Sequence, residues 1–169
     1  MTKGPVVDVG VAAPVRVDGG SVGWRIAWRA SYTIVRHLGP LVRLVVAADM
    51  PTFSERILEL KLTGRRTGRP RTVLVTLIRL GGNWYVGHPN GRAGWLANLD
   101  ASGPVWATVL GQAPVRVQSV PLALGPERTA VIRETARQQP ILARSLYRAA
   151  QGHILRAGVY HRLELAEDV

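Results

Sequence analysis

Alternation of apolar and polar residues dominates the chain after residue 55. In residues 57–62 every second side chain is apolar (Leu58, Leu60, Leu62), and residues 115–118 repeat the pattern. A period of two places successive side chains on opposite faces of a strand, so one face of each strand should meet water. Short apolar segments bounded by Gly, Pro or Asn extend the set. The predicted strands are 57–63, 72–80, 84–87, 105–110, 115–122 and 159–165.

Glycine-containing turns separate several of these strands. Gly81-Gly82-Asn83 and Gly111-Gln112 are typical of hairpin turns between antiparallel neighbours. Six short strands joined in this way predict a small antiparallel barrel.

Residues 24–48 follow a helical pattern instead. One face carries Arg25, Arg29, Thr33 and Arg36, and the other carries Trp24, Trp28 and Tyr32. A break is expected at Gly39-Pro40. A basic helix with aromatic residues on its apolar side suits a membrane interface, but a helix packed over a barrel has the same pattern, and we favour the packed helix.

Two further helices are predicted among the strands. Residues 92–99 form a short one before a Gly-Pro turn, and residues 126–149 form a long one that begins at Pro126 and bends at Pro140. We predict an α+β fold. Its organisation is a flexible N-terminal segment of residues 1–23 and one domain of residues 24–169 that includes the amphipathic helix.

The charge of the chain predicts a negative partner. There are 22 basic and 11 acidic residues, and because only Lys3 and Lys61 are lysines, 20 of the basic residues are arginine. Charge alone does not separate a nucleic acid, an anionic bilayer and a polyanionic small molecule. Aromatic residues make up 6% of the chain, which argues against a base-stacking surface and makes nucleic acid the weakest candidate.

Composition also excludes several chemistries. With no cysteine there are no disulfides and no thiolate metal sites, and the four histidines lack the spacing of a helical metal pair. The chain shows no secretory signal and no apolar run long enough to span a bilayer, so we expect a cytoplasmic protein, with membrane association through the N-terminal helix as the alternative.

The segment from Leu60 to Arg71 has the strongest chemical signal. It reads Leu-Lys-Leu-Thr-Gly-Arg-Arg-Thr-Gly-Arg-Pro-Arg, with four arginines placed among two glycines and a proline between two predicted strands. Guanidinium groups bind phosphate and carboxylate oxygens in bidentate pairs. The simpler interpretation is a solvated basic hairpin. The density of arginines favours an anion site.

Two motifs together resemble the deazaflavin-dependent nitroreductase family. The first is Leu-Thr-Gly-Arg-Arg-Thr-Gly-Arg-Pro-Arg-Thr at 62–72, and the second is Gly-Trp-Leu-Ala-Asn-Leu at 94–99, followed by a Gly-Pro turn and a Val-rich strand. The resemblance covers residues 56–122 best. It implies a split β-barrel of the flavin-binding type and use of the reduced deazaflavin coenzyme F-420.

The resemblance also implies roles for residues in both motifs. Arg65, Arg66 and Arg71 would anchor the phosphate and acidic tail of the cofactor, with the backbone N–H groups of Thr67 and Gly68 adding dipoles. Arg66 stands where the family commonly has lysine.

In the second motif, Trp95 would lie against the deazaflavin ring and Asn98 near its polar edge, since residues three apart share one side of a helix. Without the resemblance, Trp95 is equally well a core tryptophan and Asn98 a helix cap.

The segment before Trp95 departs from the family, which carries a longer Gly-rich stretch there. His88, Asn90 and Arg92 are the residues that could replace its contacts with the cofactor. A different chromophore, FMN or haem, is the alternative.

The resulting expectation is a reductase that passes a hydride from a deazaflavin to a quinone, nitroaromatic or conjugated carbonyl. Trp24, Trp28, Tyr32 and Tyr147 are predicted to border the acceptor pocket. The alternatives are a non-catalytic flavin or haem binder and a basic adaptor for a membrane or nucleic acid. An open barrel edge also makes a homodimer an expected assembly.

Overall fold

A computed structural model describes residues 56–91, 93–109, 112–139 and 141–166, together with Val22, Gly23 and Ile26. The helix predicted for residues 24–48 therefore lies outside the described residues, apart from Ile26. The proposed division into a segment of residues 1–23 and a domain of residues 24–169 stays a prediction.

Seven antiparallel strands form one sheet in the order β2-β1-β5-β6-β7-β4-β3. The sheet curls into a half-barrel, and β2 at one end approaches β4 near the other. The predicted antiparallel barrel and α+β class are confirmed. The strands are β1 (Ile57–Thr63), β2 (Pro70–Thr76), β3 (Ile78–Leu80), β4 (Asn83–His88), β5 (Val105–Val109), β6 (Val115–Pro121) and β7 (Val159–Leu165).

The prediction that residues 72–80 form one continuous strand was wrong. Residues 72–80 were expected to form a single strand, but β2 ends at Thr76 and β3 begins at Ile78. Between them Leu77 is 1% exposed, and its N–H donates to the Arg56 carbonyl at 2.8 Å. This bond extends the β1–β2 register by one pair, Arg56 with Leu77, and from Ile78 onward the chain pairs with β4 instead.

Four helices pack around the half-barrel in the described part of the chain. The predicted long helix of residues 126–149 is two helices, separated around Pro140 where a bend was expected, and α4 after it was not predicted. The bounds are α1 (Gly94–Ala101), α2 (Pro126–Gln138), α3 (Ile141–Ala149) and α4 (Gln151–Ala157).

The core divides between the two faces of the sheet. Inside the half-barrel, alternate residues of β1, Leu58, Leu60 and Leu62, pack with Leu96 and Leu99 of α1. On the other side, residues of β4 and β7 pack against the helices; this second cluster contains Ile78, Tyr85, Val131, Ile132, Ala150, Ile154 and Tyr160. Helix α1 is thus held by the barrel interior, and α2 to α4 form an outer layer.

Candidate functional site

The turn between β1 and β2, residues 64–69, is a closed loop that we call the arginine tip. The Gly64 N–H donates to the Arg69 carbonyl at 2.9 Å. The Gly64 carbonyl accepts from Thr67 at 3.0 Å and from Gly68 at 2.7 Å, and Gly68 has a φ of 64°, which favours glycine. These bonds give the tip a defined shape.

The side chains of the tip arginines extend into solvent. Arg65, Arg66 and Arg69 of the tip are exposed, as is Arg71 in β2 just beyond it, and no ion pair joins any of the four to a carboxylate within the described residues. The N–H groups of Thr67 and Gly68 are already used inside the loop, which narrows the expected anion contacts to the guanidinium groups. Positive charge without an acidic neighbour is available to an external anion.

Helix α1 lies beside the arginine tip. The Arg65 backbone N–H donates to Oδ1 of Asn98 at 3.3 Å. Asn98 therefore contacts the tip through its side-chain oxygen, rather than capping its own helix. Trp95 precedes it by three residues, on the same side of the helix.

Trp95 also lines a cavity of about 170 Å³ that lies between the half-barrel and the outer helices. Three predicted site residues, His88, Trp95 and Tyr147, come together in its wall. The remaining lining residues are Leu74, Val75, Thr76, Ile78, Gly87, Pro89, Thr135, Gln139 and Tyr160. The wall combines aromatic rings with polar side chains, and such groups together can hold and orient an organic ligand.

His88 contributes a half-buried imidazole to this cavity. Its Nδ1 accepts from the Asn90 N–H at 3.2 Å, and burial lowers the pKa of the imidazole, with a smaller opposing effect from the Gly91 backbone. His88 is therefore neutral at pH 7. The Asn90 side chain points elsewhere, since its Oδ1 lies 3.1 Å from Nε2 of the buried His153.

Tyr160 is a cavity residue that the sequence analysis missed as part of the site. It is 1% exposed, and its ring lies directly on the Gly87 backbone, where a Cβ would overlap the ring. Burial raises the pKa of the Tyr160 phenol well above its ordinary value, and the neighbouring Tyr147 adds to the rise. The hydroxyl is therefore neutral across the physiological range.

Thr135 and Gln139 were also missed. Thr135 lies in the last turn of α2, and Gln139 directly follows the helix with an extended backbone; both line the cavity. Only their spacing could have linked them in the sequence, and nothing local indicated which side of α2 faces the cavity. Trp24, Trp28, Tyr32 and Arg92 lie outside the described residues, and their predicted roles remain predictions.

A polar cluster around the buried His161 lies elsewhere on the sheet. Nδ1 of His161 is 2.9 Å from the Ser119 hydroxyl and 3.4 Å from Oδ1 of Asp100. In a catalytic triad the serine and the acid bind different nitrogens of the imidazole. Here both approach the same nitrogen, so the cluster does not have the geometry of a hydrolase triad.

Metal binding and membrane crossing are the alternative functions that the described residues bear on. Within the described ranges, no three histidine, aspartate or glutamate side chains lie close enough together to hold a metal ion. No helix in that part of the chain is long and apolar enough to cross a bilayer.

Comparison with known proteins shows a likeness in structure only. No protein-family model and no curated protein sequence matches the chain. A solved F420-H2 dependent reductase is 19% identical over 64% of this chain and 94% of its own, with a TM-score of 0.50. A structure described as a domain-swapped dimer is 20% identical over 64% of this chain and 80% of its own, also with a TM-score of 0.50.

The haem storage protein HutZ from Vibrio cholerae is also similar, with 13% identity, coverage of 69% of this chain and 86% of its own, and a TM-score of 0.48. At these identities the likeness shows the fold. The chain has the split-barrel fold that the resemblance implied.

Proposed function

We propose that the protein binds a reduced deazaflavin of the F-420 type and transfers a hydride to a small, flat, electron-poor acceptor. The observation that carries this proposal is the position of α1. Through Trp95 the helix lines the cavity, and through Asn98 it contacts the arginine tip. One rigid element thus joins a site suited to a ring and a site suited to an acidic tail.

The spacing of the two sites supports an elongated ligand. Arg71 lies at the start of β2, and Val75, four residues further along the strand, lines the cavity. At about 3.3 Å per residue, the two positions are about 13 Å apart along β2. A ligand with a planar ring at one end and several negative charges at the other would reach both.

The charge of the arginine tip favours an acidic ligand over a neutral one. Bidentate contacts from Arg65, Arg66 and Arg71 suit phosphate and carboxylate groups. Among the described residues these side chains have no acidic partner, so binding an anion breaks no ion pair within that part of the chain. The residues present therefore fit an acidic deazaflavin cofactor.

The cofactor would supply the hydride chemistry, and the protein's own residues would bind and orient. Trp95 and the apolar side chains of β2 would contact the ring, and the cavity wall would exclude water. His88 and Tyr160, both neutral at pH 7, can make hydrogen bonds without placing a charge next to the ring. Tyr147, with Trp24, Trp28 and Tyr32, would border the acceptor.

A turnover assay tests the proposal. Reduced F-420 is mixed with menadione or a nitroaromatic compound, and the absorbance of oxidised deazaflavin is followed. We expect protein-dependent turnover that the double variant R65A/R66A loses at low cofactor concentration. The matched control is R133A/R137A, which removes two exposed arginines from α2.

Two other outcomes would replace the proposal. A bound FMN or haem with no turnover would indicate a chromophore binder on the same fold. Steep salt dependence of binding to anionic vesicles or DNA, with no affinity for the cofactor, would indicate an adaptor.

We also propose a homodimer. Among the described strands β2 lies at one end of the sheet, and one of its edges has no partner strand there; such edges are ready sites for association. Sedimentation equilibrium should give twice the 18.4 kDa of one chain. A single species of one chain would contradict this.

A further inference from the structure

The strand ladders around β1 end just before the arginine tip. Thr63 is the last residue of β1 and lies opposite Pro70 of β2. The next bond of that ladder joins the Gly64 N–H to the Arg69 carbonyl, so Gly64 faces β2 and the Thr63 N–H faces the β5 side. On that side the last pair between β1 and β5 is Lys61 with Trp106, and continuing the register would bring Thr63 opposite Pro104, before the first residue of β5. The Thr63 N–H therefore lies beyond the end of the β1–β5 ladder.

Helix α1 supplies the missing hydrogen bonds. The Thr63 N–H donates to the Ser102 hydroxyl oxygen at 3.2 Å, and two residues later the Arg65 N–H donates to Asn98 Oδ1 at 3.3 Å. The Ser102 hydroxyl proton goes to the Asn98 carbonyl at 2.7 Å, which is shorter than the 3.4 Å to the Thr63 carbonyl. The side chains of Asn98 in α1 and of Ser102 directly after it thus hold the backbone N–H groups of Arg65 and Thr63.

We infer that Ser102 and Asn98 are positioning residues that fix the arginine tip for binding an acidic ligand; we call this pair the clasp. Ser102 acts through the backbone, since its partners are main-chain groups. The inference rests on the anion-binding part of the proposed function and not on the identity of the ring.

The structure also explains why the clasp should affect binding more than folding. The bonds from Thr63 and Arg65 are exposed, so water can replace either partner at little cost in stability. Water does not, however, hold the arginine tip in one fixed orientation. Without the clasp, binding an acidic group must also order the loop, and this lowers affinity.

The experiment compares ligands with and without an acidic tail. The wild-type protein, S102A, S102T and the control T129A are titrated with a tetraglutamate peptide, with F-420, and with the deazaflavin ring stripped of phosphate and glutamates. T129A removes another hydroxyl, which donates to the Gly125 backbone carbonyl at 3.0 Å and lies far in sequence from the arginine tip.

The expected result is selective. S102A should bind tetraglutamate and F-420 about two- to tenfold more weakly, which is the loss of one hydrogen bond's net contribution, and should bind the tail-free ring as before. S102T retains the hydroxyl and should keep wild-type affinity. T129A should match the wild type with every ligand.

Several results would overturn the inference. They are wild-type affinity of S102A for tetraglutamate, an equal loss for the tail-free ring, and a wild-type protein that binds no acidic probe. If the wild type binds tetraglutamate through the clasp but not the deazaflavin ring, the proposed function fails while the inference stands.

Hydrogen exchange on the wild-type protein provides a test that needs no variant. The amides of Thr63 and Arg65 should exchange more slowly than that of Arg66. Equal exchange at the three positions would overturn the clasp.

Discussion

Arg128 and the arginines of the tip show how differently one residue type is used in this chain. Arg128 is 4% exposed, and its guanidinium donates to three backbone carbonyls around the end of α4, those of Leu155 at 2.9 Å, Gly158 at 2.6 Å and Ile154 at 3.5 Å. Desolvation lowers its pKa, and the Tyr160 phenol opposes that shift. The tip arginines are exposed and have no carboxylate partner in the described residues.

The comparison separates structural from functional charge. The Arg128 guanidinium donates to carbonyls at the C-terminal end of α4. Its positive charge also lies at the negative end of the helix dipole. At the tip the same groups face water. Removing Arg128 should therefore cost stability, and removing tip arginines should cost binding.

The variant R128M gives the largest expected effect and tests whether Arg128 has a structural role. The change leaves the Leu155 and Gly158 carbonyls without this buried donor, while the Ile154 carbonyl keeps its bond from the Gly158 N–H, and we expect a loss of about 3 to 5 kcal/mol in the free energy of unfolding. Urea denaturation measures it. R137M, on the exposed side of the same helix, should change stability by less than about 0.5 kcal/mol. Equal stability of the two variants would contradict a structural role for Arg128.

A smaller loss is expected from G87A. The new methyl group would overlap the Tyr160 ring, and overpacking of this kind costs about 1 to 3 kcal/mol. Thermal unfolding measures the effect, and G94A, where nothing lies within 4 Å of the added atom, is the control. Wild-type stability of G87A would contradict the close contact between the Gly87 backbone and the Tyr160 ring.

The smallest effect concerns pH. Burial lowers the pKa of His88 in the folded protein below the ordinary histidine value of about 6.5, so the unfolded chain takes up a proton first as the pH falls. His88 should therefore reduce stability as the pH drops below about 6.5, and the loss should level off below the folded pKa. In the H88Q variant, the free energy of unfolding should differ less between pH 7.5 and pH 5.5 than it does in the wild type. An unchanged pH profile in H88Q would contradict the burial of a neutral imidazole.

Much of the fold could be predicted because its strands have clear local patterns. The alternation in β1 predicted which residues are buried, and Pro140 marked the break between α2 and α3. The break at Leu77 could not be predicted, since it depends on where pairing with β1 ends and pairing with β4 begins, and no Gly or Pro marks it. Helix α4 is only seven residues long and contains Gly152, so packing against α2 and not propensity decides it.

The candidate site was predictable only where one segment carries it. The arginine tip is a continuous motif, and Trp95 and Asn98 are three residues apart on one helix. Thr135, Gln139 and Tyr160 reach the cavity from α2 and β7, which are distant in sequence. The role of Ser102 depends on where two ladders end, and this requires the register of three strands.

The most direct test of the central claim is an equilibrium titration with F-420, followed by quenching of tryptophan fluorescence, beside FMN and haem. The account predicts preferential binding of F-420, a loss of that binding in R65A/R66A with unchanged thermal stability, and wild-type affinity in R133A/R137A. Preference for FMN or haem, or equal affinity of R65A/R66A and the wild type for F-420, would contradict the joined ring and tail site.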